Sequence, residues 1–244
     1  MNNAPIKQSF RWTLLFVIVV TVVTVVTVVI FSSAAVRDPI HLKKTTSTFG
    51  IDISHYQGHV NWSKVAKSDH EIQFVIMRST MGDDKKDTQF DRNWKEAGEN
   101  GFIRGAYHYY RPHENSTRQF KNYSKHVKLV TGDFPPVLDI EQSSPYGAEN
   151  LRKGVLNWLK LAEEHYNVKP VIYTGKTFYN ENLKGHVDGY PLWIASYSRG
   201  SSLRGIDWTI HQFSKEVKVT GIREYVDGNN FKGGVNDLKG MCIK

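Results

Sequence analysis

Apolar and polar positions along the 244-residue chain follow two regimes. Residues 14–31 read LLFVIVVTVVTVVTVVIF, a run without charge whose only polar side chains are Thr21, Thr24 and Thr27. At about 1.5 Å of rise per residue, a helix of that length just spans a hydrocarbon core. Trp12 stands at its leading edge, where an interfacial aromatic belongs. From Thr48 onward the pattern changes to short β-rich runs alternating with helical ones. Strands are predicted at 48–54, 74–80, 103–110, 135–141, 170–175 and 191–197, with 208–214 and 216–222 as a closing pair. Helices are predicted at 87–100 with Phe90, Trp94 and Ala97 on one face, at 116–130 with Ser116 as N-cap, and at 150–165.

Strands alternating with helices imply a mostly parallel sheet with right-handed crossovers. Eight strands in about 200 residues suggest an α/β fold of the irregular TIM-like (β/α) barrel kind, since no helix separates the last two. An open doubly wound sheet is the alternative, but no glycine-rich phosphate loop is present. The resulting organisation is a short cytoplasmic n-region (1–12), a transmembrane signal anchor (13–31), a polar tether (32–47) and a folded body (48–244). The apolar run exceeds the usual signal-peptide core, which favours an uncleaved anchor. Ser33-Ala34-Ala35 offers a cleavage site, in which case the body is secreted. Either way the body is expected outside the cytoplasm, although Arg37, Lys43 and Lys44 blunt the positive-inside asymmetry.

Composition narrows the chemistry. The single Cys242 excludes an intramolecular disulfide framework and a Cys-rich zinc site. Net charge is +8, but half of it lies in the first 44 residues, and the body shows no basic stripe interleaved with aromatics. Nucleic-acid binding is therefore not expected. No metal site, cofactor or oligomer is indicated.

In parallel α/β folds, ligands sit at the carboxyl ends of the strands. Asp52 stands near the end of the first predicted strand, Asp139 and Glu141 end the fourth, and Asp227 falls in a VDGN turn after the last. Side chains two apart on a strand share a face, with Cα atoms about 6.6 Å apart. Two carboxyls so placed can split their pKa values, one keeping its proton while the other ionises. The apolar lead-in FPPVL supplies burial for such an acid. Taken alone, the D-x-E triplet fits two solvated strand-end acids as well as a general-acid site. Aromatics gather at the same rim: Tyr56, Tyr107, Tyr109, Tyr173, Trp193 and Tyr197. Flat rings with a polar handle suit the apolar faces and hydroxyl edges of sugars, and Tyr109 is the favoured contact after the acids. Acids with aromatics, and no Ser/His/Asp constellation, point to glycoside hydrolysis. His55 and His108 are expected to be hydrogen-bonding or core residues.

These segments resemble the family 25 glycoside hydrolases, lysozymes of the N,O-diacetylmuramidase type. The resemblance rests on GIDISHYQG (50–58), FVIMRST-x-G (74–82), GAYHYY (105–110), PPVLDIE (135–141), VIYTG (171–175), PLWIASY (191–197) and the closing Val226-Asp227, in that order. It implies a (β/α)5(β)3 barrel and cleavage of the β-1,4 bond between N-acetylmuramic acid and N-acetylglucosamine in peptidoglycan. By the same resemblance Glu141 is the acid/base, Asp139 its partner, and Asp52 and Asp227 supporting carboxylates. Tyr109, Tyr173, Tyr56, Trp193, Tyr197 and Gln212 are implied as substrate contacts. The chain departs from the family pattern at Thr80-Met81-Gly82, where an acid is usual, and at His211-Gln212-Phe213-Ser214, where Trp-Gln-Tyr-Ser is common. A non-catalytic glycan-binding module and a hydrolase of another amino sugar polymer such as chitin are the alternative readings.

Overall fold

The computed structural model of the chain describes residues 47–197 and 203–244. The n-region, the predicted transmembrane segment and all of the tether but Ser47 lie outside the described residues. Among the described residues no helix is long and apolar enough to cross a membrane.

The strands are β1 (Ser47–Ile53), β2 (Phe74–Met81), β3 (Lys85–Lys86), β4 (Ile103–Tyr109), β5 (Val137–Asp139), β6 (Val171–Gly175), β7 (Leu192–Ala195), β8 (Ile210–Val217) and β9 (Val226–Lys232). The helices are α1 (Trp62–Val65), α2 (Phe90–Glu99), α3 (Ser116–His126), α4 (Ala148–Tyr166), α5 (Lys176–Phe178, continuing as a wider turn through Leu183) and α6 (Val235–Met241). Pairing runs β1-β2-β4-β5-β6-β7-β8-β9 and returns to β1, so eight strands close a barrel, with β3 as a short hairpin on β2. Pairs from β1 to β8 are parallel, and β9 is antiparallel to both neighbours. This is the irregular barrel the sequence predicts.

Three local predictions change. The closing strand is Val226–Lys232 rather than 216–222, so Asp227 lies within a strand and not in a turn. The segment VDGNNFK carries Gly and Asn residues that disfavour a strand, but the barrel supplies Asn229 with internal partners. Helix α3 is capped by Asn115, whose side chain accepts from the Arg118 amide at 3.0 Å, rather than by Ser116. Strand β5 stops at Asp139, leaving Glu141 beyond its end.

Two layers of apolar side chains hold this arrangement. Outward residues such as Ile51, Val75, Met77, Leu138, Ile172 and Ile194 pack against the helices with Trp158, Leu159 and Tyr123. Inward residues Phe74, Ile76, Val137, Val171, Ile210 and Phe231 fill the barrel interior. Gly50 makes this filling possible: a Cβ there would stand 2.5 Å from the Phe74 ring. Alternate positions face inward, so a strand with an apolar residue low in the barrel carries a polar one two to four residues further up, later in sequence on the parallel strands and earlier on the antiparallel β9. That periodicity delivers Asp52, Arg78, Tyr107, Asp139, Tyr173, Gln212 and Asp227 to one end.

Candidate active site

Asp52 and Asp227 are cross-strand partners on β1 and β9. Their carboxyl groups are close enough that each shifts the proton affinity of the other. Asp52 is buried, and one oxygen, Oδ2, accepts from Gln212 Nε2 and Asn229 Nδ2, each at 2.8 Å. Burial, reinforced by the neighbouring Asp227 charge, raises the Asp52 pKa well above the usual carboxylate range against the pull of those two donors. Asp227 is less buried and is also raised, first by desolvation. Of the two carboxyls, Asp52 is the more deeply buried and the more strongly disposed to hold a proton.

Behind this pair stands a chain of fixed dipoles. Gln212 Oε1 accepts from the hydroxyls of Tyr173 at 2.9 Å and of Tyr197. Asn229 Oδ1 accepts from Trp193 Nε1 at 2.8 Å. Gln212 and Asn229 are fully buried and spend their amides inside the protein. Gln212, a substrate contact by resemblance, is thus placed beneath Asp52 as a positioning residue.

The second acidic pair is Asp139 with Glu141. Asp139 ends β5 in register with Tyr109 and Tyr173, and is buried. Glu141 follows in the loop and is exposed. The apolar lead-in buries Asp139, while Glu141, two residues on, stays exposed. Desolvation, then the charge of Glu141 and a hydrogen bond to it, push the Asp139 pKa well above its usual value, while Arg78 works in the opposite direction. Asp139 Oδ1 is buried without a hydrogen-bond partner in the protein. A buried polar atom so placed is costly unless a ligand completes it.

Arg78 lines the site but was not among the residues singled out, whereas Tyr107, named among the rim aromatics, does line it. The Arg78 guanidinium lies 5.6 Å from the ring of Tyr56, 5.7 Å from Tyr107 and 5.2 Å from Tyr109. Stacked cations of this kind are held with little residual freedom. The signal was available: Arg78 falls on the inward face in step with Phe74 and Ile76. Together these groups line a cleft of about 170 Å³, bounded by Asp52, Asp139, Glu141, Asp227, Arg78, Tyr56, Gln57, Tyr107, Tyr173 and Trp193. Tyr109 sits just behind that wall, half-buried under Arg78, and Tyr197 lies outside it, 40 % exposed.

The two histidines are structural. His55 Nδ1 meets Asp87 Oδ2 at 2.7 Å. His108 is buried between Thr80 Oγ1 (2.8 Å) and Gln119 Oε1 (3.1 Å), and burial lowers its pKa to about 4. Among the described residues no set of three or more His, Cys, Asp or Glu side chains converges as a metal site. The cleft is equipped to move a proton onto an oxygen and to stabilise positive charge on a sugar ring.

Comparison with known proteins agrees with this geometry. The sequence profile of the glycosyl hydrolases family 25 matches residues 51–222. The protein YegX of Escherichia coli O6:H1 is 38% identical over 206 residues, covering 83% of this chain and 76% of its own. Lysozyme M1 of Streptomyces globisporus is 31% identical over 216 residues, covering 81% of this chain and 72% of its own. The crystal structure of the bacterial lysozyme from Streptomyces coelicolor superposes with a TM-score of 0.72 at 29% identity, covering 82% of this chain and 98% of that one. The profile match spans well over half the chain, from the first barrel strand to the segment before the last, and the protein is a member of glycosyl hydrolase family 25.

Proposed function

We propose that the protein is a muramidase that hydrolyses the β-1,4 bond between N-acetylmuramic acid and N-acetylglucosamine in peptidoglycan. Glu141 acts as acid/base and Asp139 as its partner. The observation that carries this reading is that Asp139 and Glu141 line one cleft with Asp52 and Asp227, with a buried Asp139 oxygen left unpartnered by the protein. The relatives named as lysozymes supply the substrate class.

In the free protein the buried member, Asp139, holds the proton. A sugar entering the cleft excludes water from Glu141, and the proton passes from Asp139 to Glu141. Glu141 then donates it to the glycosidic oxygen as the bond to C1 breaks. The acetamido oxygen of the muramic residue attacks C1 and forms an oxazolinium ion. The anionic Asp139, steadied by Arg78, accepts the acetamido N–H. Glu141, now a carboxylate, removes a proton from water, which opens the ring with retention at C1. The Asp52–Asp227 pair adds one negative charge beneath the sugar. Tyr56, Tyr173 and Trp193 supply ring surface.

Glu141→Gln should lower peptidoglycan turnover by about a hundredfold or more, a loss in keeping with removal of a general acid. Because Glu141 is exposed, the fold should be unaffected. Full activity in that variant refutes the assignment of the acid. New reducing ends on N-acetylmuramic acid are expected, and efficient chitin cleavage without them refutes the substrate. Inhibition by a thiazoline mimic of the oxazolinium is expected, and a trapped glycosyl–Asp139 adduct overturns acetamido participation. Because peptidoglycan lies outside the cytoplasmic membrane, the catalytic body acts there, tethered by segment 13–31 or released by cleavage near Ala35.

A further inference from the structure

Two lysines outside the cleft wall are stacked on tyrosines rather than ion-paired. Lys215 Nζ lies 4.5 Å from the ring centre of Tyr197, and Lys218 Nζ lies 3.8 Å from that of Tyr225. Both tyrosines are exposed, by 40 % and 50 %. Among the described residues neither lysine has a carboxylate within ion-pair distance, and Lys218 Nζ donates a 3.4 Å bond to the Arg223 carbonyl. The rings are therefore poor sugar platforms, since an ammonium already covers one face of each. They instead hold two cations that would otherwise be mobile.

Both stacks are tied to the catalytic cleft. The Tyr197 hydroxyl bonds to Gln212, which in turn holds Asp52. The Lys215 charge is felt at Asp227. The Tyr225 carbonyl accepts from Gln57 Nε2 at 3.1 Å, and Gln57 lines the cleft. In peptidoglycan the muramic residue carries a lactyl group on O3, and through it a short peptide bearing free carboxylates. When that sugar lies against Asp139 and Glu141, the peptide leaves the cleft within about one sugar's width of the reacting bond.

We propose that Lys215 and Lys218 recognise carboxylates of the peptidoglycan stem peptide and so make the enzyme selective for peptide-bearing anionic strands. This inference rests on the muramidase reading. Neither lysine touches the reacting atoms. Their contribution belongs in kcat/KM, and it should weaken with salt because the charges are exposed.

The test uses the full chain and uncrosslinked peptidoglycan strands in two forms, with stem carboxylates free or capped as methylamides. Capping should lower kcat/KM of the wild type by about tenfold at low salt, the size of two favourable exposed ion pairs. Lys215→Ala with Lys218→Ala should lose a similar factor on native strands and become indifferent to capping. Lys218→Glu should cancel most of the preference, since the new charge offsets Lys215, while leaving turnover of capped strands within about twofold. Equal rates of the wild type on both strands, or a double variant that still discriminates as the wild type does, overturn the proposal while the muramidase reading stands. Loss of turnover on capped and native strands alike in Lys218→Glu also overturns it, by showing that the residue acts on the glycan or the fold. Failure of the wild type to cut either strand sinks both readings.

Discussion

Asn229→Leu tests the dipole chain that supports the acidic centre. Asn229 is fully buried and joins two groups: it donates to Asp52 Oδ2 at 2.8 Å and accepts from Trp193 Nε1 at 2.8 Å. Leucine has nearly the same volume, so little cavity forms and the effect is polar. The stranded indole N–H should cost about 1–3 kcal/mol, and the lost bond to Asp52 about 0.5–1.5 kcal/mol. The expected loss of stability is about 2–4 kcal/mol, read by urea denaturation with an unchanged m value. Asp52 also loses one of the two donors that favour its charged form, so its pKa should rise further and the proton should sit more firmly on it. Hydrolysis should fall, and its dependence on pH should move to higher pH. A double-mutant cycle with Trp193→Phe should give a coupling of about 1 kcal/mol or more, because both changes remove the same bond. A loss below about 1 kcal/mol with no coupling would refute the chain from Trp193 through Asn229 to Asp52.

Other outcomes follow from the same geometry. Asp139→Asn imitates the protonated carboxyl: activity should fall by about a hundredfold or more, yet the variant should resist urea better than the wild type at neutral pH. The sign follows from linkage, because a raised native pKa gives stability that is present below the unfolded value near 3.8 and is lost as pH rises. The advantage should therefore vanish in acid, and a variant weaker than the wild type at all pH values contradicts the assignment. His108 gives the opposite slope: its native pKa of about 4 against 6.5 unfolded means that the native state loses about 3 kcal/mol relative to the unfolded chain as pH falls through that window. His108→Gln should remove this dependence from the difference between the two unfolding curves, and an unchanged slope would exclude a buried neutral imidazole. Gly82→Ala should destabilise by about 1–3 kcal/mol because φ is +59° and the new Cβ would stand 2.3 Å from Glu114 Oε2 and 2.9 Å from Arg111 Cδ. A neutral result in thermal unfolding would show that the Arg111–Glu114 loop yields easily.

Much of the barrel was legible because its signals are local. Strands β1, β2, β4, β6 and β7 are β-rich runs between turn residues, and helices α2 and α4 carry apolar faces of helical period. The D-x-E triplet and the rim position of Asp52 were readable for the same reason: alternation places side chains without knowledge of neighbours. The closing strand escaped because its stability comes from outside itself. Gly228, Asn229 and Asn230 have poor strand propensity, but β1 and β8 pair with their backbone while Asp52 and Trp193 satisfy Asn229.

What the chain alone determined is the inventory: seven of the eight barrel strands, four candidate acids, and aromatics beside them. The tertiary structure decided which acids face each other and which are buried. Asp52 meets Asp227 only because β9 closes the barrel against β1, and protonation depends on burial, a property of all surrounding groups at once. The same holds for Asp139, which is buried while Glu141, two residues on, is exposed. It holds for Arg78, whose three tyrosines come from two separate segments. Propensity and period act over a few residues, whereas desolvation and charge coupling act through space, and they become defined only when the last strand pairs with the first.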